Sequence, residues 1–178
     1  MAVAALILRA LLSLILARAA WHKWRDRAQF VEQIRGYRLL PDPIVAPMAI
    51  ALTLAETIAS LALLNPAWSA PAVVAAGLFT LYAAAMAINL ARGIAEIDCG
   101  CGGPLGAQTT IHWILVLRNA LLTAAALFIF ATPVPALPLA QWLIVLSASV
   151  ATALLYEAVE QAIANRQQVT RWRASWKH

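Results

Sequence analysis

Apolar residues run along this chain in five blocks, at about 3–21, 44–64, 71–91, 112–131 and 139–160. Each is long enough to cross a bilayer, which takes roughly 20 mostly apolar residues of helix at 1.5 Å rise per residue. Ala and Leu dominate the blocks, with none of the short alternating segments of a membrane β-barrel. Backbone groups in lipid must pair within their own segment, so the pattern predicts five helices. Between the first two blocks, residues 26–36 predict a short surface helix, with Asp26 able to cap its start and Gly36 to end it. Phe30, Ile34 and Tyr37 fall on one face of it. Such a helix either lies on the lipid headgroups or covers a loop on the same side.

Composition reinforces the pattern. Hydrophobic residues make up 63% of the 178, and only 12% are charged, against about 25% in soluble domains. The expected fold class is an all-α polytopic membrane protein, a bundle of four to five transmembrane helices plus the interfacial helix. Residues 1–165 are read as one bundle, and 166–178 as a basic tail on the membrane surface. Ala17-Arg18-Ala19 fits a signal-peptidase site loosely, but no basic side chain precedes the apolar run and Arg9 interrupts it. The expectation is a retained first span.

Charge placement then suggests a topology. If all five blocks cross, residues 22–43, 92–111 and 161–178 share one side, called side B here. All 13 basic residues except Arg9 and Arg118 lie on or at the edge of that side. The opposite turns, 65–70 and 132–138, are uncharged. The positive-inside rule places side B in the cytoplasm. Trp21, Trp24, Trp172 and Trp176 sit among basic residues at span ends, as an aromatic belt would. Membrane lipid already explains these basic residues, so no nucleic-acid partner is expected.

One side-B turn departs from everything around it. Glu96-Ile97-Asp98-Cys99-Gly100-Cys101-Gly102-Gly103-Pro104-Leu105-Gly106 holds both cysteines of the chain and four of its seven glycines. Cysteines two residues apart have Cα atoms roughly 7 Å apart when extended, whereas a disulfide prefers about 5.5–6 Å. Gly100 lets the chain tighten, and the small ring should be strained and exchange readily. Cys99 and Cys101 are therefore the candidate catalytic pair. Asp98 disfavours the Cys99 thiolate, while Arg92 and His112 border the loop and favour it. A soft-metal relay on the two thiolates, with His22 or His112 nearby, is a second reading, and two incidental small residues a third. Two ligands are too few for a closed zinc site. With no second cysteine pair, a redox-active turn needs a thiol partner in trans or a bound quinone as acceptor.

Ionisable residues within spans carry functional or pairing roles by default. Arg9 and Glu56 each lie about 12 residues from the side-B end of their spans, which predicts an ion pair between spans one and two. Arg118 and Asn119, with Asn89, either line a polar pocket beneath the Cys turn, or serve snorkelling and helix–helix hydrogen bonding. Glu157 and Glu160 lie near an interface and call for no special role. Ala83-Ala84-Ala85-Met86-Ala87 predicts close helix packing. No Ser–His–Asp, phosphate-loop or zinc-protease pattern occurs.

His22-Lys23-Trp24-Arg25-Asp26, Phe30, Gly36-Tyr37-Arg38-Leu39-Leu40-Pro41 and Ile97-Asp98-Cys99-Gly100-Cys101-Gly102-Gly103 together resemble the MauE family of methylamine utilisation proteins, of the DoxX-like membrane superfamily. The resemblance covers roughly residues 1–160. It implies a multi-pass protein of the cell inner membrane that serves processing, transport or maturation of the methylamine dehydrogenase β-subunit. It also implies a thioredoxin-like partner, MauD. Only Cys99 and Cys101 are carried over, as the candidate redox pair. The β-subunit is periplasmic, whereas the charge rule puts the Cys turn on the cytoplasmic side. The two agree if a terminal block does not span, if this chain departs from the charge rule, or if it carries electrons across the membrane. A non-catalytic scaffold and a small soft-metal or solute permease are the alternative functions.

Overall fold

The structure is a computed structural model and describes residues 1–94, 111–133 and 138–175; from residue 139 on, the side chains of 139, 140, 163, 164 and 166–175 are outside the description. Six helices follow one another: α1 (Ala2–Arg25), α2 (Arg27–Gly36), α3 (Asp42–Leu63), α4 (Ala70–Ala91), α5 (Trp113–Ala131) and α6 (Leu139–Ser175). Five are long and apolar enough to cross a membrane: α1, α3, α4, α5 and the stretch Gln141–Ala162 of α6. They coincide with the five apolar blocks of the sequence. The described residues contain no strand. Asp98, Cys99 and Cys101 lie outside the described residues.

The helix boundaries have local causes. The Asp26 carboxylate accepts the Gln29 amide proton at 2.9 Å and so caps α2 as its sequence suggested. Arg38, two residues past Gly36, takes the left-handed conformation at φ 51°, which turns the chain sharply toward α3. Pro41 is extended, and Pro43 stands in the first turn of α3 where a missing N–H costs nothing. Gly93 ends α4 at φ 74°, with its own N–H on the Leu90 carbonyl at 3.0 Å and the Ile94 N–H on that of Asn89 at 2.9 Å. That pair of bonds is the Schellman arrangement. The α4 helix therefore stops just before the Cys turn.

α1 packs on α3, α5 and α6, and α4 packs on α3 and α5. Their shared core joins Leu12 and Leu16 of α1, Ala59 and Leu63 of α3, Ala72, Ala75, Ala76 and Phe79 of α4, and Ala126 and Ile129 of α5. Lipid tails are as apolar as these side chains, so close van der Waals packing, rather than burial from water, holds the helices together. Small residues permit it. The alanines of the main core cluster lie in the first half of α4, before the 83–87 run. Ala84 is exposed, Ala83 and Ala87 are half-buried, and Ala85 borders a cavity. Met86 in the same run is buried against Leu115 of α5.

α6 is the peripheral member, burying 11% of its spanning window against about a third for most of the others. It continues as helix through Ser175, so the segment read as a basic tail starts in unbroken helix.

The turn at Arg38 gives a direct test. Arg38→Val should lower stability by about 1–2 kcal/mol, because a β-branched side chain is forced into the left-handed region. Arg38→Gly should not lower it. Thermal melts of the two variants in detergent check this; equal loss in both would place the strain elsewhere.

Candidate functional site

The sequence paired Arg9 with Glu56, and the structure does not. Ser13 Oγ donates to the Ser60 carbonyl at 2.7 Å, which fixes the antiparallel register of α1 on α3. Arg9 therefore lies opposite the end of α3, where it donates to the Asn65 and Trp68 carbonyls at 3.2 and 3.0 Å. The Asn65 carbonyl stands just past the C-terminus of α3, where positive charge is favoured, and the Trp68 carbonyl lies in the turn before α4. Glu56 is nine residues earlier, about 13 Å along the axis. The error was to assume that both spans end level on side B. α1 instead runs on to Arg25, and the first turns of α3 rise past it to pack against α2.

The partner of Glu56 is Lys23. The Glu56 residue is 0% exposed and Lys23 5%, and they form an ion pair. Tyr82 Oη donates to the same Glu56 oxygen at 2.6 Å, and Lys23 Nζ lies 3.1 Å from Tyr82 Oη. The ammonium also stands over the Phe30 and Tyr82 rings, at 4.6 and 4.7 Å from their centres. One knot thus ties α1, α2, α3 and α4. Helical side chains tilt toward their own N-terminus, so in antiparallel helices Lys23 reaches down while Glu56 reaches up. The sequence held the signal. Ala5, Arg9, Leu12, Leu16, Ala20 and Lys23 form one buried stripe at helical spacing, and ending the span at residue 21 hid its last member.

Two further ion pairs lie close by. Arg18 pairs with Glu157, and Arg118 donates to both carboxylate oxygens of Glu160 at 2.9 and 3.0 Å. Glu157 and Glu160 thus hold α6 to α1 and α5, a role their position near an interface had not suggested. The three pairs, Asn119 and Tyr156 border a cavity of about 50 Å³, room for roughly three waters. Arg118 and Asn119 do share a polar pocket, but Asn89 does not belong to it. Interhelical bonding by the asparagines is not what their amide groups do: Asn89 and Asn119 donate to the Ala85 and Leu115 carbonyls of their own helices, at 3.1 and 2.9 Å.

On the other side of Lys23 and Tyr82 lies a larger and mostly apolar chamber of about 210 Å³. Its roof is the inner face of α2 with the turn after it, through Phe30, Ile34, Tyr37 and Leu40; its walls are α3 and α4. The α2 face at Phe30, Ile34 and Tyr37 closes a cavity within the bundle. Tyr37 and Tyr82 also pack on the cluster of Met86, Ile111 and Leu115. Both described ends of the Cys turn, Ile94 and Ile111, are thereby placed at this end of the bundle.

The fold and site define a small polytopic membrane protein, with its charges paired in the interior and an apolar chamber beneath an amphipathic helix. The sequence model of one family, Methylamine utilisation protein MauE, matches residues 1–132, and the chain belongs to that family. It is 42% identical over 130 residues to a Methylamine utilization protein MauE of Paracoccus denitrificans, covering 72% of this chain and 69% of the relative. It is 35% identical over 151 residues to that of Methylophilus methylotrophus, covering 83% and 80%. With that of Methylorubrum extorquens it shares 40% over 119 residues, 66% of this chain and 63% of the relative. No solved structure matches. The family match ends at the turn after α5, short of the 160 residues over which the sequence resemblance was read.

A double-mutant cycle separates the observed pair from the rejected one. Glu56→Leu alone strands a buried ammonium and should cost about 3–5 kcal/mol. Lys23→Met with Glu56→Leu should recover most of that loss. Arg9→Met with Glu56→Leu should show additive losses, as expected of sites without a shared partner. Unfolding in mixed micelles measures both; coupling of Glu56 to Arg9 rather than to Lys23 would contradict the geometry.

Proposed function

We propose that this methylamine-utilisation protein serves maturation of the methylamine dehydrogenase β-subunit from the cell inner membrane, by thiol–disulfide exchange at Cys99 and Cys101 with a thioredoxin-like partner. The observation that carries the reading is the placement of the chain's two cysteines. They stand two residues apart in a single glycine-rich turn, whose described flanks are fixed by the Gly93 helix stop and by the burial of Ile111. Membership of the MauE family supports the pathway, and the five span-capable helices support residence in a membrane.

The exchange balances as follows. A thiolate of the partner attacks the Cys99–Cys101 disulfide, one sulfur of the pair leaves, and a mixed disulfide forms. The partner's second thiol then displaces the remaining sulfur. The partner ends with a disulfide and this chain with two thiols, having gained two electrons and two protons. Asp98 opposes thiolate at Cys99 and so makes Cys101 the better leaving sulfur.

The side of the membrane is decided by charge only in part. Arg18 and Lys23, counted among the side-B charges, are paired inside the bundle. Arg25, Arg27, Arg35, Arg38 and Arg92 keep the bias toward side B. Direct exchange with a periplasmic partner requires Cys99 and Cys101 to be labelled by an impermeant maleimide in intact spheroplasts. Labelling only after permeabilisation excludes that route.

Cys99→Ser with Cys101→Ser should abolish mature dehydrogenase while leaving normal amounts of this protein in the membrane, measured by β-subunit disulfide content and by membrane immunoblot. Normal maturation in the double variant overturns the exchange reading in favour of a scaffold that recruits the true oxidant.

A further inference from the structure

Exchange of the kind proposed leaves the chain reduced, and turnover then needs an acceptor for two electrons and two protons. We propose that the chamber beneath α2 binds the ring of a lipid-soluble quinone, with Lys23 donating a hydrogen bond to a ring carbonyl oxygen. The inference rests on the cysteine reading for its purpose, but the site itself is built from other residues.

Size is the first argument. A cavity of about 150 Å³ with aliphatic and aromatic walls already accepts benzene, and this one measures about 210 Å³. A substituted six-membered ring fits that space. Access is the second. Leu81 at the chamber edge is 48% exposed, on the face that lipid covers, and Met48 and Ala85 beside it are half-buried. The chamber lies at the depth of the side-B halves of α3 and α4. Its ligand therefore comes from the bilayer.

Chemistry is the third. A lipid acyl chain needs no hydrogen-bond donor, yet Lys23 and Tyr82 line this otherwise mostly apolar space. An ammonium has three donors. Two of those of Lys23 go to Glu56 and Tyr82, which leaves one for a ligand. Because Glu56 already neutralises Lys23, the pair carries no net charge, and a buried neutral pair favours an uncharged acceptor over an anionic headgroup. A quinone is an uncharged, ring-sized carbonyl compound carried in the bilayer, and it alone among such ligands also accepts the two electrons and two protons that turnover must shed. Phe30 and Tyr82, which both line the chamber, offer it aromatic surface to lie against.

The redox step closes the balance. The Cys99 and Cys101 thiols lose two protons and two electrons as their S–S bond forms. The quinone takes both pairs, and its two carbonyls become the two hydroxyls of a quinol. Met86 of the chamber clusters with Ile111, the first described residue after the turn, and Tyr37 packs against that cluster.

The test uses the full chain in phospholipid nanodiscs with an azido-ubiquinone, light-activated cross-linking and peptide mapping. Labelling should fall on the peptides of α2 and of residues 81–86, and decylubiquinone should compete it away. Two filling variants from different helices, Ala85→Phe and Met48→Trp, should each lower the competable label about tenfold through loss of the ring's seat. Labelling spread over the lipid-facing helices, or competed by phosphatidylglycerol but not by decylubiquinone, overturns the proposal. So does labelling that survives both filling variants. Cys99→Ser with Cys101→Ser should bind quinone as the parent does. If that double variant blocks maturation while the parent shows no competable label, the quinone site fails and the cysteine reading stands. If label is present and maturation in the double variant is normal, the site stands and the cysteine reading fails.

Discussion

The structure depends on an ammonium and a carboxylate held together where neither is stable alone. Lys23 and Glu56 are both buried in a bundle whose surroundings are hydrocarbon. Removing either leaves the other uncompensated, at a cost that is a large fraction of the stability of a small domain. Their geometry therefore constrains everything near them. α1 must run about a turn past the point where its apolar block ends, α3 must start high enough to meet α2, and Tyr82 must bring α4 to the same carboxylate. Phe30 comes with this arrangement, because its ring covers the ammonium and so fixes α2 as a roof.

Packing elsewhere follows the rules of a solvent that is itself apolar. The alanines of α4 at 72, 75 and 76 let helices touch, while Ala85 on the same helix leaves space that no neighbour fills. The same residue type serves contact in one half of α4 and vacancy in the other. There α2, not another spanning helix, covers the space between α3 and α4. Around the second, polar cavity, three carboxylates face three cations, so interior charge is balanced there without reference to solvent.

Much of this was legible in the chain. Five spans, the short amphipathic helix and its Asp26 cap follow from apolar block length, helical spacing and capping chemistry, all of which are local. Pairing is not local. Arg9 and Glu56 looked matched because both lay equally far from assumed span ends, but the register of two antiparallel helices is set by packing such as Ser13 on Ser60. Lys23 looked like one more interfacial base among His22, Trp24 and Arg25. Only the continuation of the buried stripe on α1 distinguished it. Glu157 and Glu160 were visible as carboxylates three residues apart, yet nothing in sequence said that arginines from two different helices would meet them. The chemistry proposed for the cysteine turn rests on composition alone, since Cys99 and Cys101 lie outside the described residues.

Those two carboxylates have a geometric consequence for the last helix. Residues three apart on a helix share a face, and here one is taken by Arg18 of α1 and the other by Arg118 of α5. Two anchors on separate helices fix α6 in rotation as well as in depth, as two pins fix the bearing of a rod. α6 spans 37 residues, about 55 Å at helical rise, against roughly 30 Å of hydrocarbon. Its far end therefore leaves the membrane at a set azimuth, like a hand held at one hour of a clock, and anything that docks on side B meets it from a defined direction.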